Sequence, residues 1–332
     1  MLGAGAAQLG LLAAARSRGL FVIAADRDPG APGFRYADRR AIVSVEDEPV
    51  LERLAEAERI DGVIAGTESA VGAAARIAAR LGLAHPISPE AAVLSTSKLR
   101  QRERLAEAGV PQTRWQVVST ADAVVGVPCL VGSPDRPGRG ARALVRSSRE
   151  LRRAVTAALR ASRIGLCLVE ELVEQPTVSV TAFSAEGIFH APTASDRLPK
   201  ALVWESDHAD AALALAHTAA EALEIREGPV LARVRIDPDG PKVLDVCAAI
   251  GGTPEAELCR AARGVDLNAL ALSSALGEPI SARRLRARRL VGAACVRVLP
   301  DAEAVVVTGK DRAEALERAE CVRFPAADAR VV

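Results

Sequence analysis

Short apolar runs alternate with longer amphipathic stretches through the first part of the chain. Met1-Leu2 is a very short start before a glycine-rich turn at Gly3 to Gly5; a helix follows from Leu9 to Arg18, and Leu20 to Ala25 reads as a strand. An acidic helix around Val50 to Glu58, a strand at Asp61 to Ala65 and an alanine-rich helix from Ala70 to Leu81 continue the alternation. Strands separated by helices of this length predict a parallel sheet. The opening strand is short because the chain begins almost at the glycine turn, as a late start codon or a trimmed chain would leave it.

Pro86 to Pro89 marks a boundary, and the pattern then changes. Pro128 to Val145 predicts two strands around a glycine loop, Pro134-Asp-Arg-Pro-Gly138-Arg-Gly140. A helix over Ser148 to Ala161 leads to a strand at Gly165 to Val169. A second helix, Ala209 to Leu223, precedes strands Val230 to Ile236 and Lys242 to Cys247. These two strands are joined at Asp237-Pro-Asp-Gly240, where proline and glycine suit a reversal.

A chain of 332 residues is too long for one small core and suits two or three α/β units sharing a cleft. Its formal net charge of +1 offers no long-range attraction to nucleic acid or anionic lipid. No apolar run approaches the ~20 residues of a membrane span, and no leader pattern of charged then apolar residues opens the chain. Cys129, Cys167, Cys247, Cys259, Cys295 and Cys321 form no CxxC pair and lie mostly in apolar runs, as reduced thiols of a cytoplasmic protein do. His85, His190, His208 and His217 are dispersed, Cys and His lack metal-ligand spacing, and there is no Gly-x-Ser-x-Gly elbow. Gly3-x-Gly5 with Asp26 after the second strand invites a dinucleotide reading, but Gln8 and Leu9 precede Gly10, so the third glycine of that fingerprint is displaced.

Several ordered motifs carry a resemblance. They are the glycine turn with Ala25-Asp26-Arg27-Asp28-Pro29, the run from Ser88 through Ser97-Lys98-Leu99-Arg100 to Ala108-Gly109-Val110-Pro111, the glycine loop, and the late strand Lys242 to Gly252. In these the chain resembles the ATP-grasp superfamily, of the biotin carboxylase and carboxylate-amine ligase type. The resemblance implies an α/β ATP-grasp fold. It divides the chain into a Rossmann-like first domain over 1–88, an ATP-grasp domain of two subdomains over 89–279 with its glycine loop at 134–141, and a short C-terminal subdomain over 280–332.

Position by position, the resemblance makes Lys98, with Ser97 and Arg102 fitting the motif around it, the first phosphate-binding lysine, and Gly138 and Gly140 the loop over the phosphates, where Arg136, Arg139 and Arg142 could add charge to a cradle for an anion or stand on an ordinary exposed hairpin. Leu168 to Val173, with Glu170, Glu171 and Val173, matches the strand whose backbone pairs with adenine. Other positions depart. Gly132 or Ser133 stands at the second lysine, Gln175-Pro176-Thr177 at the ribose carboxylate and Arg233 at the first metal-binding Glu. Asp245 stands at the second metal-binding Glu, Cys247 at the metal-binding Asn and Ala249 at the substrate Arg. Asp245 is thus the one metal candidate left, with Arg233 as its partner on the neighbouring strand.

These losses predict a degenerate homologue that does not ligate, with no cofactor, binding a small molecule or supporting an intact ATP-grasp partner subunit or a second copy of itself. Two alternatives stand beside it. One is an active carboxylate-amine ligase using ATP and Mg²⁺ through an acyl phosphate; the other is an ATP-independent enzyme built on Arg233, Asp245 and Cys247.

Overall fold

The computed structural model describes the chain except for residues 121–125, 135–141, 173–176, 199–200, 205–207, 251–254, 289–292, 299–303 and 310–332. Gly138, Gly140 and Val173 therefore lie outside the described residues. So do Arg136, Arg139 and Gln175.

The first unit holds helix α1 (Leu9–Ser17), parallel strands β1 (Ile23–Asp26) and β2 (Arg39–Ile42), and helices α2 (Glu48–Glu58) and α3 (Val71–Leu81). Leu2 bridges in parallel to both Ala25 and Ala65, so the expected parallel arrangement is present. The segment expected as a strand at Asp61 to Ala65 contributes only that single bridge, because its partner across the gap is one residue long. Gly3 adopts a φ of +104°, a conformation that favours glycine. The carboxylate of Asp26, which a dinucleotide reading would aim at a ribose, instead accepts the amide of Ala4 at 2.8 Å and holds the glycine turn.

Two short helices, α4 (Pro89–Thr96) and α5 (Lys98–Glu107), follow the boundary. Ser88 caps α4 by accepting the Ala91 amide, with Pro89 at the first helical position. Ser97, extended at φ −82° and ψ 110°, both ends α4 and caps α5. Lys98 is thereby fixed as the opening residue of α5. Lys98, Gln101, Arg102 and Leu105 recur at the spacing of one helix face, and Gln101, Arg102 and Leu105 are fully buried.

Two antiparallel sheets flank this face. Strands β3 (Trp115–Val118), β4 (Cys129–Gly132), β5 (Arg142–Val145) and β6 (Cys167–Glu171) form a four-stranded sheet in the order β3-β6-β4-β5. Helix α6 (Ser148–Ala161) covers it with Val155 and Ala158. The second sheet comprises β7 (Thr177–Ala185), β8 (Ile188–Leu198), β9 (Ala201–Trp204), β10 (Gly228–Asp237), β11 (Gly240–Cys247), β12 (Ala293–Val298) and β13 (Ala304–Gly309). Its order is β11-β10-β7-β8-β9-β12-β13. Helix α7 (Ala209–Ala222) packs its alanine face on this sheet as part of the main core, while α8 (Glu255–Arg263) and α9 (Leu267–Ala275) bury their apolar residues in other clusters.

The β10–β11 hairpin turns at the expected Asp237 to Gly240 and carries a bulge. Arg233 pairs with Asp245 but Val234 pairs with Val243, leaving Leu244 as the extra residue. The carbonyls of Val243 and Leu244 accept from the Arg102 guanidinium at 3.2 and 2.8 Å. Gln101 accepts the Val246 amide at 3.2 Å and donates to the Val246 carbonyl at 2.7 Å, closing the attachment of α5 to β11.

Arg102 also makes two hydrogen bonds to Glu170 Oε1 on β6, at 2.7 and 2.9 Å, so one side chain joins helix α5 to both sheets. Removing one partner of a buried pair leaves the other charge uncompensated. Arg102→Met is expected to lower the unfolding free energy by about 3–5 kcal/mol, read as a lower midpoint in urea denaturation. A midpoint unchanged from the parent would show that the pair does not join the sheets.

Candidate functional site

The candidate site lies where α5, the four-stranded sheet and the β10–β11 hairpin meet. Lys98 Nζ pairs with Asp245 Oδ1 and lies 3.8 Å from Glu68, on the short turn before α3. Arg233 pairs with Asp245 Oδ2, the direct cross-strand contact that the sequence reading expected. Asp245 is buried, and both its oxygens are held by cations. On the facing sheet Arg142, at the start of β5, reaches Glu170 Oε2 at 2.7 Å. A second group lies along the same hairpin: Arg235 pairs with Asp237 and lies 3.6 Å from Glu171, and Lys242 meets Asp237 at 2.9 Å. A cleft of about 900 Å³ reaches Ser97, Ser133 and Arg142 from the side of α2 and α3.

The structure thus gathers Lys98, Glu170, Glu171, Arg233, Asp245 and Cys247 around one region. Arg102, which fits the motif around Lys98 in the sequence, and Arg142, named there as a charge beside the glycine loop, stand with them. Arg102 had a readable signal: a charged residue on the same helical face as Leu105 is set inward. The place of Arg142 is set by the antiparallel register of β4 and β5, which puts it opposite Gly132. Gly132 or Ser133 stands where the resemblance expects the second lysine.

Burial pushes the Lys98 ammonium down to about 7, with Glu68 pulling it up and the guanidinium groups of Arg233, Arg142 and Arg102 pushing it further down. Burial alone would raise the Glu170 carboxyl, but Arg102 and then Arg142 outweigh it and hold the group below its ordinary value. The Cys247 thiol is pushed up to about 12, first by burial and then by the negative charge of Glu68, with Lys98 and Arg233 opposing. A thiol in that state supplies almost no thiolate at neutral pH. Its buried place against the core counts against the role of nucleophile in an ATP-independent reaction.

The fit of a divalent cation can be judged from the donors. Mg²⁺ is a hard ion that takes oxygen ligands, mostly carboxylate and water. Among the expected metal positions only Asp245 offers a carboxylate, and its oxygens are engaged by Lys98 and Arg233. Among the described residues, no group of three or more His, Cys, Asp or Glu side chains is placed to hold a metal ion. The residues present do not fit Mg²⁺. Lys98, Arg142 and Arg233 stand against Glu68, Glu170 and Asp245, while Arg102 is engaged by Glu170 and the β11 carbonyls.

No family model matches the chain. Formate-dependent phosphoribosylglycinamide formyltransferase of Burkholderia vietnamiensis is 26% identical over 252 residues, 67% of this chain and 62% of that protein. The formyltransferase of the same name from Burkholderia thailandensis is 31% identical over 185 residues, 52% of this chain and 46% of that protein. The chain spans about half the length of the curated relatives it matches. Among solved structures, L-amino acid ligase from Bacillus licheniformis superposes with a TM-score of 0.76 at 18% identity, covering 90% of this chain and 79% of that one. An ADP complex of N5-carboxyaminoimidazole ribonucleotide synthetase gives 0.77 at 15% identity, covering 95% and 93%. The biotin carboxylase domain of Hydrogenobacter thermophilus 2-oxoglutarate carboxylase, with MgADP and bicarbonate, gives 0.70 at 18%, covering 89% and 73%.

These likenesses and the two-sheet architecture establish the fold class: an α/β ATP-grasp fold behind a small parallel-sheet unit. The expectation of a degenerate, non-ligating copy is overturned, because the relatives that the chain matches are named as working enzymes. The expectation of no cofactor likewise finds no support in neighbours that hold ADP. Among the described residues, no helix is long and apolar enough to cross a membrane.

Two outcomes follow from the site's electrostatics. The folded chain keeps Glu170 ionised below its ordinary 4.5, so the stability from its pairing is fully present above that pH. It is lost as pH falls through the lower folded value, because the unfolded chain takes up the proton first. Glu170→Gln should therefore flatten the acid limb of stability, measured as urea midpoints across that range; an unchanged acid limb would exclude the pairing as its source. Cys247 in the native protein at mildly alkaline pH should react with a thiol reagent at least about 100-fold more slowly than in urea, followed by mass spectrometry of its peptide. Equal rates would show an accessible thiolate.

Proposed function

We propose that this chain is the core of an ATP-dependent ligase that activates a small carboxylate as an acyl phosphate and transfers the acyl group to an amine. The observation that carries this reading is the group of four cations, Lys98, Arg102, Arg142 and Arg233, at the junction of two sheets whose fold neighbours include ADP complexes. The names of the curated relatives support the substrate class, since a formate-dependent formyltransferase takes a carboxylate and delivers it to an amine-bearing acceptor. The solved ligase and synthetase point to the same class of bond formation.

In such a reaction a carboxylate oxygen attacks the γ-phosphorus, forming an O–P bond as the bridging P–O bond to ADP breaks. The amine nitrogen then attacks the acyl carbon, the C–O bond to phosphate breaks, and the nitrogen loses a proton. The first step concentrates negative charge on the transferring group, which positioned cations stabilise. Lys98, held at the start of α5 by the Ser97 cap, is placed to neutralise phosphate, and a bound phosphate would restore the charge that burial disfavours. Arg142 is shared with Glu170 and is the second such donor.

The test is ADP release from ATP with formate and then amino acids as carboxylates, each with and without an amine acceptor. Carboxylate-dependent ADP release supports the ligase reading, and its absence with every carboxylate counts against it. Lys98→Ala should lower kcat/KM by about 100-fold, with partial recovery in Lys98→Arg. Loss of an equal size in both variants would deny the lysine a charge-neutralising role.

A further inference from the structure

The position at which the ATP-grasp resemblance expects the first metal-binding carboxylate is occupied by Arg233, whose guanidinium lies on the Asp245 carboxylate. Arg233 and Asp245 are direct cross-strand partners, so the contact is set by the register of the hairpin and not by a chance rotamer. The side chain is about one-third exposed, while Asp245 beneath it is buried, so the arginine covers the carboxylate and also faces out of the sheet. Lys98 takes the other oxygen from the opposite side. The next expected metal ligand is Cys247, a buried thiol whose proton burial retains.

A divalent cation at this place would have to displace a guanidinium and an ammonium from one carboxylate and would add two positive charges beside four cations already gathered. Magnesium is usually held by one or two carboxylates together with water and phosphate oxygens. Here the carboxylate is taken, and the charge that the metal would bring is already present as side chains. Guanidinium groups bind phosphate oxygens directly, two N–H donors to one group, at the charge-assisted distances of strong hydrogen bonds.

We propose that the phosphate subsite of this chain works without a divalent cation: Arg233 stands in for the metal and, with Lys98 and Arg142, binds the polyphosphate of a nucleotide directly. The proposal rests on the ligase reading for the nature of the ligand and adds to it the mode of binding. Its consequence is that free nucleotide, not the metal complex, is the species that binds. Chelation then leaves nucleotide affinity intact, and Arg233 can be turned back into a metal ligand by exchange for Glu.

The experiment is calorimetric titration of the whole protein with a non-hydrolysable ATP analogue, once in excess EDTA and once in excess MgCl₂. The expected result is an affinity in EDTA equal to or tighter than that in magnesium. Binding about tenfold or more tighter in magnesium, or seen only there, would overturn the proposal and leave the ligase reading standing. No binding in either buffer would overturn both.

Arg233→Glu supplies the second arm. It should lose affinity in EDTA by about tenfold or more and regain it with MgCl₂, since a paired carboxylate is restored beside Asp245. Arg233→Gln should lose affinity in both buffers and regain it in neither. Circular dichroism on both variants confirms the fold, and a folded Arg233→Gln that binds as tightly as the parent in EDTA would deny Arg233 the role.

Discussion

The buried contact between Arg102 and Glu170 is the constraint on which the candidate site depends. Arg102 is 2% exposed and Glu170 3%, and neither charge could remain there alone. One guanidinium meets Glu170 on the four-stranded sheet and the carbonyls of Val243 and Leu244 on the seven-stranded one. The bulge at Leu244 breaks the β10–β11 ladder beside those carbonyls. A helix of ten residues thus fixes the separation of two sheets, and Lys98 is carried into the site as the first residue of that helix.

Around this join the charges are arranged in shared sets. Glu170 serves Arg102 and Arg142, and Asp245 serves Lys98 and Arg233. The lowered Lys98 value comes first from burial, opposed by Glu68 and reinforced by Arg233, Arg142 and Arg102. Arg235, Asp237, Lys242 and Glu171 repeat the device further along the same hairpin and tie it to β6.

The likeness to ADP-binding neighbours and the departures at the metal positions describe the same place from two sides. The fold supplies a junction between two sheets. The side chains present at that junction are cationic where the family pattern expects carboxylates. An account based on either alone would be incomplete, since absent ligands suggest an inert protein and the fold alone suggests an unaltered enzyme.

Much of the architecture was legible in the chain. The helices at Leu9 and Ser148, the hairpin turn at Asp237 to Gly240 and the pairing of Arg233 with Asp245 follow from periodicity, turn residues and opposite charge on adjacent strands. These are short-range consequences of a 3.6-residue or 2-residue repeat, and they survive whatever packs against them. The pairing of Arg142 with Glu170 was not legible, because only the registers of β4 with β5 and β6 bring the two together. Nor was the role of Arg102, since its partners lie 68, 141 and 142 residues away. The sequence by itself determined which elements form and which family positions changed. Only the tertiary structure decided which charges meet, because a buried ion pair is set by the three-dimensional approach of strands that the linear order keeps far apart.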